Sequence, residues 1–445
     1  MIELKNLFVI LYFIMYIINT MYTIKKIGVA KFIFHPINIF SLYLLLFFMM
    51  PIYLDFYYIP SSLEYMSSNV DEHIFLITTI IVITYLIISI INIFMLNKLN
   101  FSFMTKKQVY NNYYGISLEV FIILYLFLLY CILFFMIYSM GGLTALTNNF
   151  AEFTIKARNG NTLILMIIYT AELLPVAYIL LSRRKNKLFL FFITLFSMLI
   201  VTIVGARILT LSIIIGLSIA ILASNKKIKL TKFLKLGMVF LIFFILGSLV
   251  RNSDSNSYSL TFEEKILTLK IYLFNNSDQL FTSLYTIDEI KNNQIEFQYG
   301  KTVIDAFYFF IPTSIWADKP RSYYPSRLVY KEIIEAGVEN NTKQTINFGM
   351  IARPYLDFGI LGIFVLNIIL YLFLSKLYMR IVFFSEKMSS LYKFKSIYIY
   401  SHIVQIYILG VLSHVISIFL FNIIFISMVY YIFLAFNSIL NRKLV

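Results

Sequence analysis

The sequence predicts an all-α polytopic membrane helix bundle, and three observations carry that prediction. Of 445 residues, 60% are hydrophobic, and the mean hydropathy is +0.84. The apolar residues gather in runs long enough to cross a bilayer as helices, which takes ~17–25 residues each. The loops between those runs alternate between strongly basic and neutral or acidic. Long apolar runs with so few charges have no water-compatible fold, so a string of soluble domains is excluded despite the length.

The first run, residues 7–23, has no strongly basic leader and no small-x-small cleavage site, so it reads as a retained span. Further spans are expected over about 37–60, 74–96, 116–139, 162–182, 188–204, 208–224, 236–250, 350–375, 396–413 and 415–438. Counting the first, that makes about eleven. The organisation expected is a membrane bundle over 1–250, one large outer loop over 251–347, and a second bundle portion over 348–445.

Orientation follows from Lys and Arg, which are retained on the cytoplasmic side of short loops. One alternate set of loops holds 22 of the 37 basic residues against one acid, Glu386. That set includes Lys25, Lys26, Lys106, Lys107, Arg183, Arg184, Lys226, Lys227, Lys393 and Arg442. The long loop carries 12 acids and 10 bases, a net charge of −2. The loop is therefore placed outside and the C-terminus inside. With eleven spans the N-terminus falls outside as well.

At about 97 residues this loop exceeds ordinary connections. Phe262–Leu284 sets apolar residues at helical spacing behind Glu263 and Glu264, which predicts an amphipathic helix lying over the bundle. Gly300–Trp316 is apolar and aromatic but interrupted by Pro312, which predicts a re-entrant or interfacial segment. No internal repeat or heptad is present.

The net charge of +15 sits in the topogenic loops, so it argues for a membrane and against a nucleic-acid partner. Cys131 is the only cysteine, which excludes an intramolecular disulfide or a cysteine-built metal cage. There is no phosphate-binding loop, no dinucleotide glycine motif and no H-E-x-x-H. Neither a cofactor nor a metal is implied.

Chemistry is expected around Ile311–Gly362, at a water-facing mouth beside the bilayer. This stretch holds the only tryptophan, Trp316, with Asp318, Lys319, Arg321, Arg327 and Lys331 close behind. Tyr323 and Tyr324 lie among the cations, and Pro320 and Pro325 stiffen the chain. Aromatic faces stack on sugars and guanidinium forks bind phosphate, so the set suits a sugar-phosphate ligand; a solvated loop is the plainer alternative. Arg207, in the brief turn Gly205-Ala206-Arg207 between apolar runs, is costly there unless paired or wetted, and reads as an anion contact or a snorkelling anchor. Arg251 directly follows a span. Arg353 and Asp357, four positions apart, can pair along one helix face or serve a site. Asp55 and Glu172 are weaker candidates, Asp71-Glu72-His73 a weak acidic metal motif, and His402 and His414 more plausible as packed polar residues than as a catalytic pair.

Three features together resemble the Wzy-type polymerases of bacterial O-antigen and capsular polysaccharide: the late outer loop, Pro312…Trp316-Ala317-Asp318-Lys319-Pro320, and Tyr355-Leu356-Asp357-Phe358-Gly359-Ile360-Leu361-Gly362. Gly205-Ala206-Arg207 is similar to the arginine turn of polymerases and of O-antigen ligases. Arg327…Gly337 falls one position short of a spacing found in some members, so that motif gives Arg327 no catalytic role. The resemblance implies a GT-C-like bundle and metal-independent polymerisation of undecaprenyl-pyrophosphate-linked glycans at the outer face of the inner membrane. It implies Arg207, Arg251, Arg321 and Arg353 on pyrophosphate, Asp318 or Asp357 as base, and as partners membrane lipids, a Wzz-type chain-length regulator and a Wzx-type flippase. A ligase, another lipid-linked glycosyltransferase and a flippase remain the alternatives.

Overall fold

The structure is a computed structural model that describes residues 2–53, 70–98, 116–142, 144, 162–182, 186–204, 207–224, 278–302, 304, 316, 349–384, 388–409 and 427–438. Among the described residues it is all-helical, with no β-strand. Five helices are long and apolar enough to cross a membrane: Leu4–Ile27, Pro36–Tyr53, Val70–Asn97, Leu118–Ser139 and Gly349–Phe383. Three shorter apolar helices cover Ile167–Leu181, Lys187–Ile203 and Leu209–Ser224. These apolar spans mark a membrane protein. The expected span over 236–250 and the first half of the last one lie outside the described residues.

The chain divides into two compact units, each assembled from separate stretches. Unit 1 comprises residues 1–103, 260–378 and 403–417, and unit 2 comprises residues 104–259, 379–402 and 418–445.

In unit 1, helix α1 (Ile2–Ile27) is parted by Gly28 from the single turn α2 (Val29–Phe32). Helix α3 (Pro36–Tyr53) begins at a proline, whose missing N–H costs nothing in a first turn, and contains a π-helical stretch at Leu45–Met49. His35 caps it, Nδ1 accepting from the Ile37 amide at 3.3 Å. Helix α4 (Val70–Asn97) packs against both α1 and α3.

The exposed faces of these helices are apolar, unlike those of a soluble protein, and the polar residues lie inside among apolar ones. On α1, Leu7, Ile10, Ile14, Ile18 and Met21 form one exposed stripe; on α4, Ile83, Leu86, Ile90 and Phe94 form another. Such stripes are stable against lipid, not water. The inward faces carry the polar residues. Asn19 donates to Ser89 Oγ at 2.9 Å, and Asn92 Nδ2 donates to Asn19 Oδ1 and Thr23 Oγ1, both at 3.0 Å. Tyr371 donates to Asn92 Oδ1 at 3.0 Å, and Ser41 to the Tyr85 hydroxyl at 3.1 Å. Lipid removes the hydrophobic drive for helices to associate, so bonds of this kind and close packing hold the unit together.

Unit 2 contains α5 (Ile116–Ser139), α6 (Thr162–Tyr169) and α7 (Leu173–Leu181), the last two joined by a 3₁₀ turn at Thr170–Glu172. The turn stands just before Pro175, whose ring crowds the preceding turn and which has no N–H to give it. Helix α8 (Lys187–Ile203) is capped by Asn186, which accepts from the Leu188 and Phe189 amides. Helix α9 (Arg207–Ser224) crosses α7 closely; a Cβ on Gly216 would sit 3.0 Å from Val176. Helix α10 (Asp278–Lys291) belongs to unit 1, as does most of α11 (Gly349–Phe383). Helix α12 spans Ser390–Leu409, and a last helix covers 427–438.

Two outcomes follow from this arrangement. Asn92→Leu removes three interhelical bonds and should lower stability by about 1–3 kcal/mol, taking membrane bonds at ~0.6 kcal/mol on average and up to ~1.7; Ile90→Ala, on the lipid side of α4, should cost much less. Thermal unfolding in detergent measures both. The second concerns pH. Complete burial pushes the His35 imidazole down to about 3, because it disfavours the charged form. Below the ordinary value of ~6.5 the unfolded chain binds a proton that the folded one refuses, so stability falls as pH drops from ~6.5 towards 3, by up to ~1.4 kcal/mol per pH unit. His35→Gln should flatten that part of the stability profile.

Candidate functional site

The described part of the site lies in unit 1, where residues 298–302 of the long loop meet a broken helix. α11 is helical from Gly349 but departs from helical geometry at Phe358 (φ −142°, ψ 16°) and Gly359 (φ 63°, ψ −150°). The Gly359 conformation is essentially open to glycine alone. After the break the chain folds back so tightly that a Cβ on Gly362 would stand 2.3 Å from the Pro354 carbonyl oxygen. The glycines of Asp357-Phe358-Gly359-Ile360-Leu361-Gly362 thus encode the break itself.

A break in a buried helix frees backbone groups that must find other partners. Around this one, three carbonyls do so. Pro354 cannot donate to Met350, whose carbonyl accepts from Asn367 Nδ2 at 3.1 Å. The Leu356 and Asp357 carbonyls accept from the amides of Gln298 and Tyr299 at 2.9 and 3.0 Å. Those two donors come from the long loop, which is thereby sewn onto α11.

Side chains complete the seam. Asp357 Oδ1 accepts from the Gly300 amide at 3.2 Å, and Oδ2 accepts from Thr302 Oγ1 at 2.5 Å. Arg353 donates from Nε to Thr302 Oγ1 at 3.0 Å and from Nη2 to the Thr302 carbonyl. Arg353 is 5% exposed and Asp357 2%, so the two charges offset each other in a site almost closed to solvent. Arg353 and Asp357 both bond Thr302, which links them. Each oxygen of the carboxylate thus accepts one bond from the loop.

Two further contacts fix the loop helix α10. Tyr43 donates to Gln279 Oε1 at 2.5 Å and accepts from the Met350 amide at 3.0 Å, which knots α3, α10 and α11 together. His73 Nε2 lies 2.8 Å from Asp288 Oδ1, both buried, and Asn292 donates to Asp288 Oδ2. Lys291 pairs with Glu72 at 2.6 Å on the surface. The Asp71-Glu72-His73 motif thus docks a helix, and among the described residues no group of three or more His, Cys, Asp and Glu side chains is placed to hold a metal. The residues of α10 from Gln279 to Ile290, where described, are buried, and the helix expected over Phe262–Leu284 overlaps it only from Asp278. Residues 262–277 lie outside the described residues.

Of the other candidates, Trp316 is exposed at the surface, and Arg207 is the first residue of α9, where only its backbone is described. Arg251, Asp318, Lys319, Arg321, Tyr323, Tyr324, Arg327 and also Asp55 and His414 lie outside the described residues. Sequence reasoning missed Thr302, Gln279, Tyr43 and Asp288. Their types are common, and their partners lie far along the chain. Compared with family models, curated proteins and solved structures, the chain matches none.

Thr302→Val deletes the hydroxyl that both Arg353 and Asp357 use and should destabilise the loop junction by about 1–3 kcal/mol. Asp357→Leu leaves Arg353 buried with its countercharge gone and should cost more, about 3–5 kcal/mol. Both should show as a lower melting midpoint in detergent and as faster trypsin cleavage after Lys301.

Proposed function

We propose that this chain is a metal-independent glycosyltransferase of the bacterial inner membrane. It joins undecaprenyl-pyrophosphate-linked oligosaccharide repeat units into O-antigen or capsular polysaccharide at the outer face. The observation that supports the reading best is the seating of the outer loop's Gln298–Thr302 on the Tyr355–Gly362 segment. It ties the cation-rich loop to the spans, as an enzyme must when its lipid-borne substrates are held by the membrane and its reacting groups stand outside it.

In this reading a hydroxyl at the non-reducing end of one repeat unit attacks the anomeric carbon of the growing chain. The new carbon–oxygen bond forms as the bond to pyrophosphate breaks, and undecaprenyl pyrophosphate departs. Arg207, Arg251 and Arg321 bind the pyrophosphate and offset the charge growing on it. Asp318 takes the hydroxyl proton. Lys319, Arg327, Tyr323, Tyr324 and Trp316 line the path of the glycan, while Arg353 and Asp357 hold the loop in place. The large loop faces outward and the C-terminus inward, with a chain-length regulator and a flippase as partners.

A second reading draws on the broken helix, since transporters build midplane substrate sites from discontinuous helices. It makes the chain a lipid-linked glycan flippase. A ligase would differ in acceptor alone.

Purified protein supplied with its lipid-linked repeat units should give a ladder of products at multiples of one unit. Arg207→Ala and Arg321→Ala, each confirmed folded, should slow the ladder by ~10²–10³-fold, the usual cost of losing one group that stabilises developing charge. A ladder undiminished in both variants would discard the arginine site, and no new glycosidic bond with the cognate substrate would favour the flippase.

A further inference from the structure

Unit 2 contains a groove that the proposed chemistry does not use. It lies between α5, the α6–α7 pair, the start of α12 and the last helix, and encloses about 510 Å³ including its open side. That volume is in the range of small-molecule sites. Its walls are almost wholly apolar. The Phe121 ring of α5 meets the Phe433 ring of the last helix, their centres 5.2 Å apart, and Phe394 of α12 lines the same space. An apolar cavity of this kind excludes water and accepts an apolar ligand.

The length of the groove limits what that ligand is. Its lining runs from Leu118 to Tyr125 on α5, and from Leu181 back to Thr170 on the facing span. The two segments are antiparallel: Tyr125 and Thr170 pair through their hydroxyls at 2.7 Å, and Tyr178 donates to Glu119 at 3.0 Å further along. At ~1.5 Å per residue, Thr170 to Leu181 spans ~17 Å. One leaflet contributes ~15 Å, half of a ~30 Å hydrocarbon core. The groove is therefore as long as one leaflet is deep. Its far end is closed by hydroxyls already spent, since Thr170 also donates to the Ile167 carbonyl. An acyl chain of a single leaflet fits that length, whereas a polyprenyl chain outruns it.

The Leu181 end is basic. Helix α12 runs antiparallel to α7, because Ile397 and Ser401 stand with Val176 around Gly216 while His402 reaches Glu172. That direction puts Lys393 and Lys395, which flank Phe394, towards Leu181. Lys187 is the first residue of α8, directly after Asn186, whose amide donates to the Tyr178 hydroxyl at 2.9 Å. Three lysines thus collect at this end against one acid, Glu119. Basic groups beside a gap between membrane helices are where anionic lipid head groups bind.

We propose that unit 2 carries a binding site for one anionic phospholipid. An acyl chain lies in the groove with its tip at the Tyr125–Thr170 pair, and the phosphate stands at the Leu181 end towards Lys187, Lys393 and Lys395. The chain fills a space that side chains leave open, and so joins the last helix and α12 to α5. In the orientation read from the basic loops, this lipid belongs to the cytoplasmic leaflet.

The test is native mass spectrometry of the full-length protein in detergent, stripped of lipid and titrated with dioleoyl phosphatidylglycerol or dioleoyl phosphatidylcholine. The wild type should take up one phosphatidylglycerol roughly tenfold more tightly than phosphatidylcholine, the size of preference that two or three lysines near a head group confer. Ala177→Trp, which sets an indole into the groove wall, should weaken phosphatidylglycerol binding by about the same factor or more. Lys187→Gln combined with Lys395→Gln should bring the two lipids close to equal. Equal affinities in the wild type overturn the proposal, and so does unchanged phosphatidylglycerol binding in folded Ala177→Trp. Undecaprenyl phosphate bound in preference to phosphatidylglycerol would overturn it too. If Ala177→Trp fails to fold, the wild-type preference and the double lysine variant decide. None of these readouts involves glycan synthesis, so the site stands or falls apart from the polymerase reading.

Discussion

A carbonyl freed by a break in a buried helix must find another donor within the protein, and the break in α11 makes that demand several times over. An amide group desolvated without a partner costs roughly 2–7 kcal/mol, depending on the reference state. Met350, Leu356 and Asp357 would each incur such a cost without Asn367, Gln298 and Tyr299. The break and the loop end are thus mutually required: neither the bent helix nor the docked loop is a stable arrangement without the other. This makes the junction a cooperative feature in which backbone geometry, two glycines and a buried charge pair must be satisfied together.

The same economy governs the charges. Arg353 and Asp357 share Thr302, and Asp288 meets His73. A charge at membrane depth is expensive when isolated and is tolerated when neutralised and hydrogen-bonded. Each of these contacts joins the 251–347 segment to a long apolar helix, so these costly residues stand where that segment is held.

The spans were legible because apolar run length measures the bilayer directly, and α1, α3, α4, α5 and α11 lie where those runs are. Tyr355–Gly362 was legible as a pattern but not as a cause: that Gly359 supplies a backbone conformation and Gly362 a space beside the Pro354 carbonyl depends on a fold-back no local spacing reveals. Helix α10 misleads for a related reason. Its polar composition reads as a water-facing helix, yet Gln279, Thr282, Ser283, Thr286 and Asp288 are all buried. Their polarity answers partners such as Tyr43 and His73, which are 236 and 215 positions away. Thr302 gives no signal at all until its two neighbours are folded around it.

Glu172 shows how far this goes. Considered alone it is one carboxylate in an apolar run, and such residues carry little weight individually. Its setting comes from His402, whose Nε2 stands 3.0 Å from Glu172 Oε1 and whose Nδ1 faces the Tyr398 carbonyl one turn back. The apolar exposed faces of α1 and α4 follow the same logic. With lipid outside, apolar surface no longer discriminates inner from outer faces, so the specific fold must be written in the few polar side chains turned inward. In a chain with 13% charged residues those few are spread thinly, and each is legible only through the group it meets.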